Sequence, residues 1–241
     1  MDNAPWLTIL GWGEDGPDGL TATSAKILQD AEIIAGATRH LDLLPPDCNA
    51  TRFCWPVPFA AGLEPFLALR GKKVVLLASG DPFWFGAGTS ITQHLQLEEW
   101  RALPGLSSFS LAAAALGWPL ESTQCLGLHA APIERLRPHL GLNKRLLITL
   151  KDGAMAQKVA QYLCNVGFEG AELHVLERLA GPHQKIRSTH ADGFNLEKIE
   201  HPALLAIVSS DGPALPLANG WPDSAFSHDG QITKRPVRAL T

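Results

Sequence analysis

Cysteine and histidine are present, but without the spacing of a metal site. The four cysteines, Cys48, Cys54, Cys125 and Cys164, form no CxxC pair, and the nine histidines show neither an HxH nor an HExxH pattern. Structural and catalytic zinc sites in proteins draw on such closely spaced ligands. The sequence therefore predicts no bound metal. The thiols are expected to be free, as in a reducing compartment, which favours a cytoplasmic protein.

A basic surplus and a long apolar run are also missing. The net charge is -4 and the sequence pI is about 6.1, which argues against a nucleic-acid partner. No apolar stretch reaches the roughly 18 residues of a membrane span. The N-terminus begins with an acid and lacks a basic segment followed by an apolar one, so no secretory signal is predicted. With 46% hydrophobic and 18% charged residues, the composition is that of a folded globular protein.

Strand-like and helix-like segments alternate along the chain. The clearest strand is Lys73–Ala78, a continuous apolar and β-branched run closed by Ser-Gly-Asp-Pro. This alternation predicts an α/β fold, with a parallel sheet covered by helices in the first half and a second α/β half. We place the domain boundary at the Pro-Gly break, which gives domains at 1–104 and 105–221 and a polar tail at 222–241.

A glycine pair follows the first predicted strand. Gly11 and Gly13 stand between that strand and a helix, where glycine permits a sharp turn and a close approach of a ligand to the main chain. The pair is not a dinucleotide fingerprint, because the third glycine is out of register. Glu14 and Asp15 would repel a pyrophosphate and favour another ligand. An ordinary strand-to-helix turn is the alternative.

Two further turns could contact a ligand. Ser79, Gly80 and Asp81 close the strongest strand, and ligands of open α/β sheets collect at the carboxyl ends of strands. Asp81 could bind a ribose or an amino group, or it could simply cap the next helix. Ser107 and Ser108 follow the Pro-Gly break and precede an alanine-rich helix. They could likewise bind a ligand or cap that helix.

The order of these motifs resembles the tetrapyrrole (corrin/porphyrin) methyltransferase family over nearly the whole chain. Within the family, the sequence is most similar to the decarboxylating precorrin-6Y C5,15-methyltransferase branch, and to the N-terminal part of that enzyme. Glu14 stands where many members of the family have a proline, but Gly-Glu-Asp-Gly is typical of this branch. The segments that carry the resemblance are Ile9–Thr21, Gly36–Leu41, Ala78–Gly88, Ser108–Leu120, Leu128–Leu140 and Val175–Arg187.

This resemblance implies a class III methyltransferase fold, in which two α/β/α domains enclose a cofactor cleft, and a homodimer. It implies S-adenosyl-L-methionine as the cofactor and a precorrin as the substrate, methylated in cobalamin biosynthesis at C5. By position in the family motifs, the expected cofactor contacts are Gly11, Gly13, Glu14, Ser79, Gly80, Asp81, Trp84, Ser107, Ser108, Leu150 and Leu179. The carboxylates of the substrate need cationic partners, and the candidates are Arg39, His40, Arg52 and Arg187. A solvated surface charge is the alternative for each of these, and no proton acceptor is identified.

Two alternatives to this function remain at this stage. The chain could be another precorrin or uroporphyrinogen methyltransferase of the same fold, or a tetrapyrrole-binding module without activity. The tail from Ser227 to Thr241 resembles the entry into a second, decarboxylating methyltransferase domain. We therefore expect a fused or associated partner domain, which would methylate C15 and release carbon dioxide.

Overall fold

The structure is a computed structural model that describes residues 5–215 and 220–240. Among these residues there are ten strands and seven α-helices, joined by short 3-10 helices. The strands are β1 (Leu7–Trp12), β2 (Ile33–Gly36), β3 (Thr51–Cys54), β4 (Val74–Ser79), β5 (Trp100–Leu103), β6 (Thr123–Gly127), β7 (Arg145–Thr149), β8 (Glu172–Glu177), β9 (Lys185–His190) and β10 (Ala203–Val208). The helices are α1 (Ala22–Gln29), α2 (Thr38–Leu41), α3 (Leu63–Leu67), α4 (Ala87–Thr92), α5 (Ser108–Leu116), α6 (Ala154–Asn165) and α7 (Arg235–Arg238).

The chain divides into two compact units. The first unit extends to Ala115 and also contains the separate segment Arg178–Gln184. Its five strands are all parallel, in the order β3-β2-β4-β1-β5. β1 and β4 are fully apolar on both faces over most of their length, as expected for a parallel sheet that helices cover on both sides. Two apolar clusters, one on each set of alternating side chains, form the core.

The second unit comprises Leu116–Glu177 and the described residues from Lys185 onward. Its sheet has the order β6-β7-β10-β8-β9, in which only the β6–β7 pair is parallel. Its core contains buried residues of α6, such as Val159 and Leu163, together with apolar strand residues. The sequence-based α/β fold class is thus confirmed for both units, although the mixed sheet and the edge strand β9 were not predicted.

The division between the units differs from the boundary expected after residue 104. Helix α5 belongs to the first unit, because the ring of its Phe109 packs against Trp84 at 4.8 Å between centroids and against Phe85 at 6.0 Å. The expected polar tail from 222 onward contains a 3-10 helix at Asp223–Ala225 and the short helix α7. An ion pair of 2.7 Å between Arg238 and Asp223 links these two turns.

The described residues, 5–215 and 220–240, contain neither a membrane-spanning helix nor a cluster of metal ligands. No helix there has the length and apolarity needed to cross a bilayer. No group of three or more metal-ligating side chains lies together in that part of the chain. The four cysteines are free thiols.

Candidate ligand site at the carboxyl ends of the parallel strands

Three loops of the first unit meet at the carboxyl ends of β1, β4 and β5, which are neighbours in the sheet. The backbone N–H of Gly80 donates to the carbonyl of Trp12 at 3.0 Å, and that of Gly105 donates to the carbonyl of Gly80 at 3.1 Å. The loops that follow the three strands are therefore joined to one another by main-chain hydrogen bonds. This edge of a parallel sheet is the usual ligand-binding edge of open α/β folds.

The glycines of these loops are required by the close approach of the main chains. A Cβ on Gly11 would lie 2.0 Å from the nitrogen of Gly105 and 2.2 Å from the carbonyl oxygen of Gly80. Gly80 has a φ of +53°, which a side chain rarely adopts. The sequence predicts that Gly11 and Gly80 contact a ligand. Their first role is to let three loops pack, and ligand contacts by their backbones stay a prediction, as do those of Gly13.

Asp81 and Trp84 lie in the loop after β4. One oxygen of Asp81, Oδ1, accepts a hydrogen bond from the backbone N–H of Phe83 at 2.8 Å and forms a local turn. It does not cap the next helix, because the N-cap of α4 is Gly86. The carboxylate is nevertheless only half-buried. The indole of Trp84 packs on Phe109 but is 39% exposed. A carboxylate and a flat apolar ring are therefore both accessible at this edge.

The two serines after the Pro-Gly break have different environments. Ser107 is buried and its Oγ accepts from the backbone N–H of Ser110 at 3.0 Å, which makes it the cap of α5. Ser108 is exposed at the first position of that helix. The capping alternative thus holds for Ser107, and the hydroxyl of Ser108 remains accessible.

Glu14 is buried beside two arginines. Its Oε1 accepts from Nη1 of Arg39 at 2.7 Å, and its Oε2 accepts from Nε of Arg178 at 3.2 Å. Arg39 also donates to the hydroxyl of Ser79. Burial lowers the pKa of Arg39, and the charge of Glu14 opposes this shift. We call Glu14, Arg39 and Arg178 the Glu14 network, and it borders the turn that closes β4.

His40 supports this region without carrying a charge. Its ring is buried and its Nε2 lies 3.3 Å from the hydroxyl of Ser79. Burial, with a further contribution from the charge of Arg39, lowers the pKa of His40 to about 3, against an opposing backbone hydrogen bond at Leu77. The imidazole is therefore neutral near pH 7. This low pKa does not favour a cationic role of His40 in substrate binding, which stays a prediction.

The other predicted site residues are distributed over both units. Arg52 is exposed on the edge strand β3, and Leu179 is buried in the segment that belongs to the first unit. Leu150 is buried in the second unit, directly after β7. Arg187 lies on β9 and pairs with Glu177 at 2.9 Å. Roles of these four residues in binding stay predictions.

Sequence reasoning missed Arg178 and the part played by Gly105. Arg178 lies 164 residues from its partner Glu14, and no local pattern connects the two. Gly181 packs against Glu14, since a Cβ there would lie 2.8 Å from the Cβ of Glu14, but only the folded structure reveals this proximity.

Comparison with known proteins identifies the family. Residues 7–193 match the sequence profile of the Tetrapyrrole (Corrin/Porphyrin) Methylases. The chain belongs to this family. It is 40% identical over 241 residues to a precorrin-6Y C(5,15)-methyltransferase [decarboxylating] of Sinorhizobium sp, covering 99% of this chain and 58% of that protein. It is 34% identical over 111 residues to the cobalt-precorrin-7 C(5)-methyltransferase of Salmonella typhimurium, covering 46% of this chain and 55% of that protein. The chain thus spans a little over half the length of the precorrin-6Y relative.

Solved structures share the fold of this tetrapyrrole methylase. The cobalamin biosynthesis precorrin-6Y methylase of Archaeoglobus fulgidus superposes with a TM-score of 0.65 at 21% identity, covering 85% of this chain and 98% of that one. The uroporphyrin-III C-methyl transferase of Thermus thermophilus, solved in complex with S-adenosyl homocysteine, gives a TM-score of 0.65 at 20% identity, with coverages of 84% and 96%. At these identities the likeness establishes the fold alone.

Proposed function

We propose that this chain is an S-adenosylmethionine-dependent methyltransferase that methylates C5 of a precorrin, at the precorrin-6 stage of cobalamin biosynthesis. The observation that carries the proposal is the accessible pair of Asp81 and Trp84 in the loop at the carboxyl end of β4. This pair lies in a chain that is 40% identical to a precorrin-6Y methyltransferase. The name of the cobalt-precorrin-7 relative favours C5 as the carbon that is methylated.

The accessible groups fit the chemistry of S-adenosylmethionine. The carboxylate of Asp81 can accept hydrogen bonds from ribose hydroxyls or from an ammonium group, and the ring of Trp84 offers an apolar face to an adenine. The exposed hydroxyls of Ser79 and Ser108 can add polar contacts. Each oxygen of the buried Glu14 accepts from a guanidinium, so this carboxylate also orients two arginines beside the site. A direct contact of Glu14 with the cofactor stays a prediction.

The proposed reaction requires little covalent catalysis by the protein. The bound cofactor supplies an electrophilic methyl group on a sulfonium, which a carbon of the electron-rich tetrapyrrole can attack in line. The chain must hold the two ligands in the reacting geometry, with about 3 Å between the reacting atoms, and must exclude competing water. Asp81, Trp84 and Ser108 would orient the cofactor, while cationic side chains would orient the carboxylates of the substrate.

The proposal is tested by turnover. The purified chain is incubated with methyl-labelled S-adenosylmethionine and precorrin-6 species, and the products are read by mass. The expected product has gained one methyl group and retained its acetate carboxylate. No methyl transfer to any precorrin, despite tight binding of S-adenosylhomocysteine, would favour a binding module instead. A gain of two methyl groups, or a loss of carbon dioxide, would place both activities of the longer relatives in these residues.

The assembly is part of the same proposal. We expect a homodimer, and a fused or associated decarboxylating methyltransferase domain that acts on the same tetrapyrrole. Light scattering of the purified chain measures the first expectation, because a dimer has twice the 25.9 kDa mass of the chain.

A further inference from the structure

The hydroxyl of Ser79 joins a buried side chain to an accessible one at the ligand-binding edge. Ser79 ends β4 and is exposed. Its Oγ accepts a hydrogen bond from Nη2 of Arg39 and lies 3.3 Å from Nε2 of His40, which is 4% exposed. A hydroxyl has one O–H donor and two lone pairs. Within the described residues, Arg39 and His40 therefore take two of the three hydrogen-bonding positions of Ser79, and the third is left for a ligand.

The tautomer of His40 decides what Ser79 offers at that third position. Arg39 can only donate, so it occupies a lone pair of the hydroxyl oxygen. If Nε2 of His40 carries the proton, Ser79 accepts a second time and turns its own O–H toward the ligand. If Nε2 is unprotonated, Ser79 donates to it and presents a lone pair to the ligand. The two tautomers thus select ligands with opposite hydrogen-bonding groups.

The surroundings of His40 favour the tautomer with an unprotonated Nε2. Burial and the charge of Arg39 lower the pKa of His40, and a hydrogen bond with the backbone of Leu77 opposes them, which requires a ring N–H that donates to a carbonyl. Because Nε2 lies at the Ser79 hydroxyl, we assign this N–H to Nδ1. Nδ1 is buried and makes no hydrogen bond of ordinary geometry within the described residues, so its contact with Leu77 is weak. The other tautomer would direct a second N–H at an oxygen that already accepts from a guanidinium.

Asp81 offers the same kind of group two residues later. Its carboxylate is half-buried, and an ionised carboxylate accepts hydrogen bonds without donating any. The backbone of Gly80, between the two side chains, is occupied, since its N–H donates to Trp12 and its carbonyl accepts from Gly105. The turn therefore presents acceptors from both Ser79 and Asp81, and it suits a ligand with hydroxyl or ammonium donors.

We propose that His40 is a positioning residue, which holds the O–H of Ser79 toward its own Nε2 so that Ser79 presents a lone pair to an N–H or O–H donor of the cofactor. Arg39 fills the other lone pair and fixes the oxygen in place. The inference rests on the proposed function, since it names how the same site orients S-adenosylmethionine.

The cofactor fits this pair of acceptors better than the tetrapyrrole does. S-adenosylmethionine carries ribose hydroxyls and an ammonium group, and both are donors. The side-chain carboxylates of a precorrin are acceptors, which find no donor in the side chain of Asp81 and are repelled by its charge. In this role His40 acts through Ser79 alone and touches neither ligand.

The experiment is a double-mutant cycle of His40→Phe and Ser79→Ala, in which calorimetry measures the Kd of S-adenosylhomocysteine. We expect each single variant to weaken binding by about fivefold, as for one lost hydrogen bond. The double variant should bind no more weakly than Ser79→Ala, because His40 acts only through that hydroxyl. His40→Gln, whose amide oxygen can accept from Ser79, should recover most of the affinity. In NMR spectra of the unmodified chain, the ring nitrogens of His40 should show an unprotonated Nε2 and a protonated Nδ1.

Methylthioadenosine, which lacks the amino-acid end of the cofactor, identifies the donor. If His40→Phe also weakens methylthioadenosine, the donor is a ribose hydroxyl. If the loss is confined to S-adenosylhomocysteine, the donor is the ammonium group, and either result supports the proposal. In turnover, the KM of His40→Phe for S-adenosylmethionine should rise, whereas its KM for the precorrin should stay the same.

The matched control is His174→Phe, since Nδ1 of His174 lies 2.8 Å from the hydroxyl of Ser188 in the second unit. This variant should bind S-adenosylhomocysteine normally. Unchanged affinity of a folded His40→Phe variant would overturn the proposal. So would an equal loss from His40→Phe in the presence and absence of the Ser79 hydroxyl, a KM change confined to the precorrin, or a protonated Nε2.

The proposed function can fail separately from this inference. If the unmodified chain binds no S-adenosylhomocysteine and transfers no methyl group, the function is wrong, whatever the tautomer of His40. Circular dichroism checks that each variant is folded. If His40→Phe does not fold, the protonation of Nε2 in the unmodified chain and the affinity of His40→Gln decide the question.

Discussion

Two buried glutamates of this tetrapyrrole methylase pair with arginines in different ways. Glu14 accepts from two guanidiniums that reach solvent, whereas Glu177 is 1% exposed and accepts from Arg187 at 2.9 Å and from the backbone N–H of Glu200 at 2.8 Å. Arg187 also donates to the carbonyl of Glu197 at 2.9 Å. We call this second group the Glu177 network. Glu177 and Arg187 carry opposite formal charges, and each also binds a backbone group of the segment Glu197–Glu200.

The difference separates a structural ion pair from a candidate binding site. The Glu177 network joins strands β8 and β9 to the segment that precedes β10, and its contacts are those expected of a group that stabilises a fold. The Glu14 network has two partly exposed arginine side chains and lies at the ligand-binding edge of the parallel sheet. Each network contains one arginine that is predicted from the sequence to bind the substrate: Arg39 in the Glu14 network and Arg187 in the Glu177 network.

The largest effect that tests this comparison is on stability. Glu177→Gln leaves the partly buried guanidinium of Arg187 without its counter-charge. Removing one partner of a fully buried pair costs about 3–5 kcal/mol, so we expect a loss near the lower end of that range. Glu14→Gln should cost less, on the order of 1 kcal/mol, because its arginines can be solvated. Urea denaturation of both variants gives the two free energies of unfolding. An equal loss in the two variants would mean that the Glu14 network is as much a part of the fold as the Glu177 network.

The next largest effect is a loss of stability at acid pH, caused by His40, which borders the Glu14 network. Its pKa is lowered from 6.5 to about 3 in the folded chain, so the folded state disfavours the proton that the unfolded state accepts. The stability from this group is therefore complete above pH 6.5 and is lost as the pH falls toward 3. At pH 5 the loss is on the order of 2 kcal/mol.

His40→Gln removes this titration. Free energies of unfolding at pH 7 and pH 5 should therefore differ less in the variant than in the unmodified chain. Comparison within each protein cancels the cost of the substitution itself. An identical pH dependence would show that His40 accepts a proton as readily in the folded state as in the unfolded state. The claim that its imidazole is neutral beside Ser79 would then be wrong.

Much of the parallel sheet could be predicted from the sequence, because β1 and β4 are continuous apolar runs that each end in a glycine turn. Strand β9 was missed because Lys185–His190 is polar and forms the edge of its sheet, where only pairing with β8 reveals it. The capping serine at Ser107 was among the alternatives. The Glu14–Arg178 pair could not be foreseen, because it depends on a contact across 164 residues that only the folded chain creates.

A smaller effect tests Asp81 in the cofactor site. Asp81→Asn retains the Oδ1 acceptor for the N–H of Phe83 and removes only the charge. We expect about tenfold weaker binding of S-adenosylhomocysteine in calorimetry, equivalent to about 1.4 kcal/mol. Asp152→Asn is the matched control, since Asp152 accepts from the backbone N–H of Met155 at 3.0 Å in the second unit. Equal affinity in the two variants would remove Asp81 from the site.

The smallest effect is the change in ligand affinity that we expect on substitution of Arg187. This change tests the comparison between the Glu14 network and the Glu177 network most directly. Arg187 was nominated for substrate binding by resemblance, yet its guanidinium is held by Glu177 and by the carbonyl of Glu197. Arg187→Gln should therefore change the Kd of a corrin polycarboxylic acid by no more than about twofold, which is about 0.4 kcal/mol. Arg39→Gln should weaken the same ligand by about tenfold, because it loses a charged contact at the ligand-binding edge. Calorimetry is run well below the unfolding temperature of the Arg187 variant, since that variant loses the buried pair as Glu177→Gln does. A tenfold loss of affinity in a folded Arg187→Gln variant would place the Glu177 network in the binding site. The distinction between a structural Glu177 network and a ligand-binding Glu14 network would then be wrong.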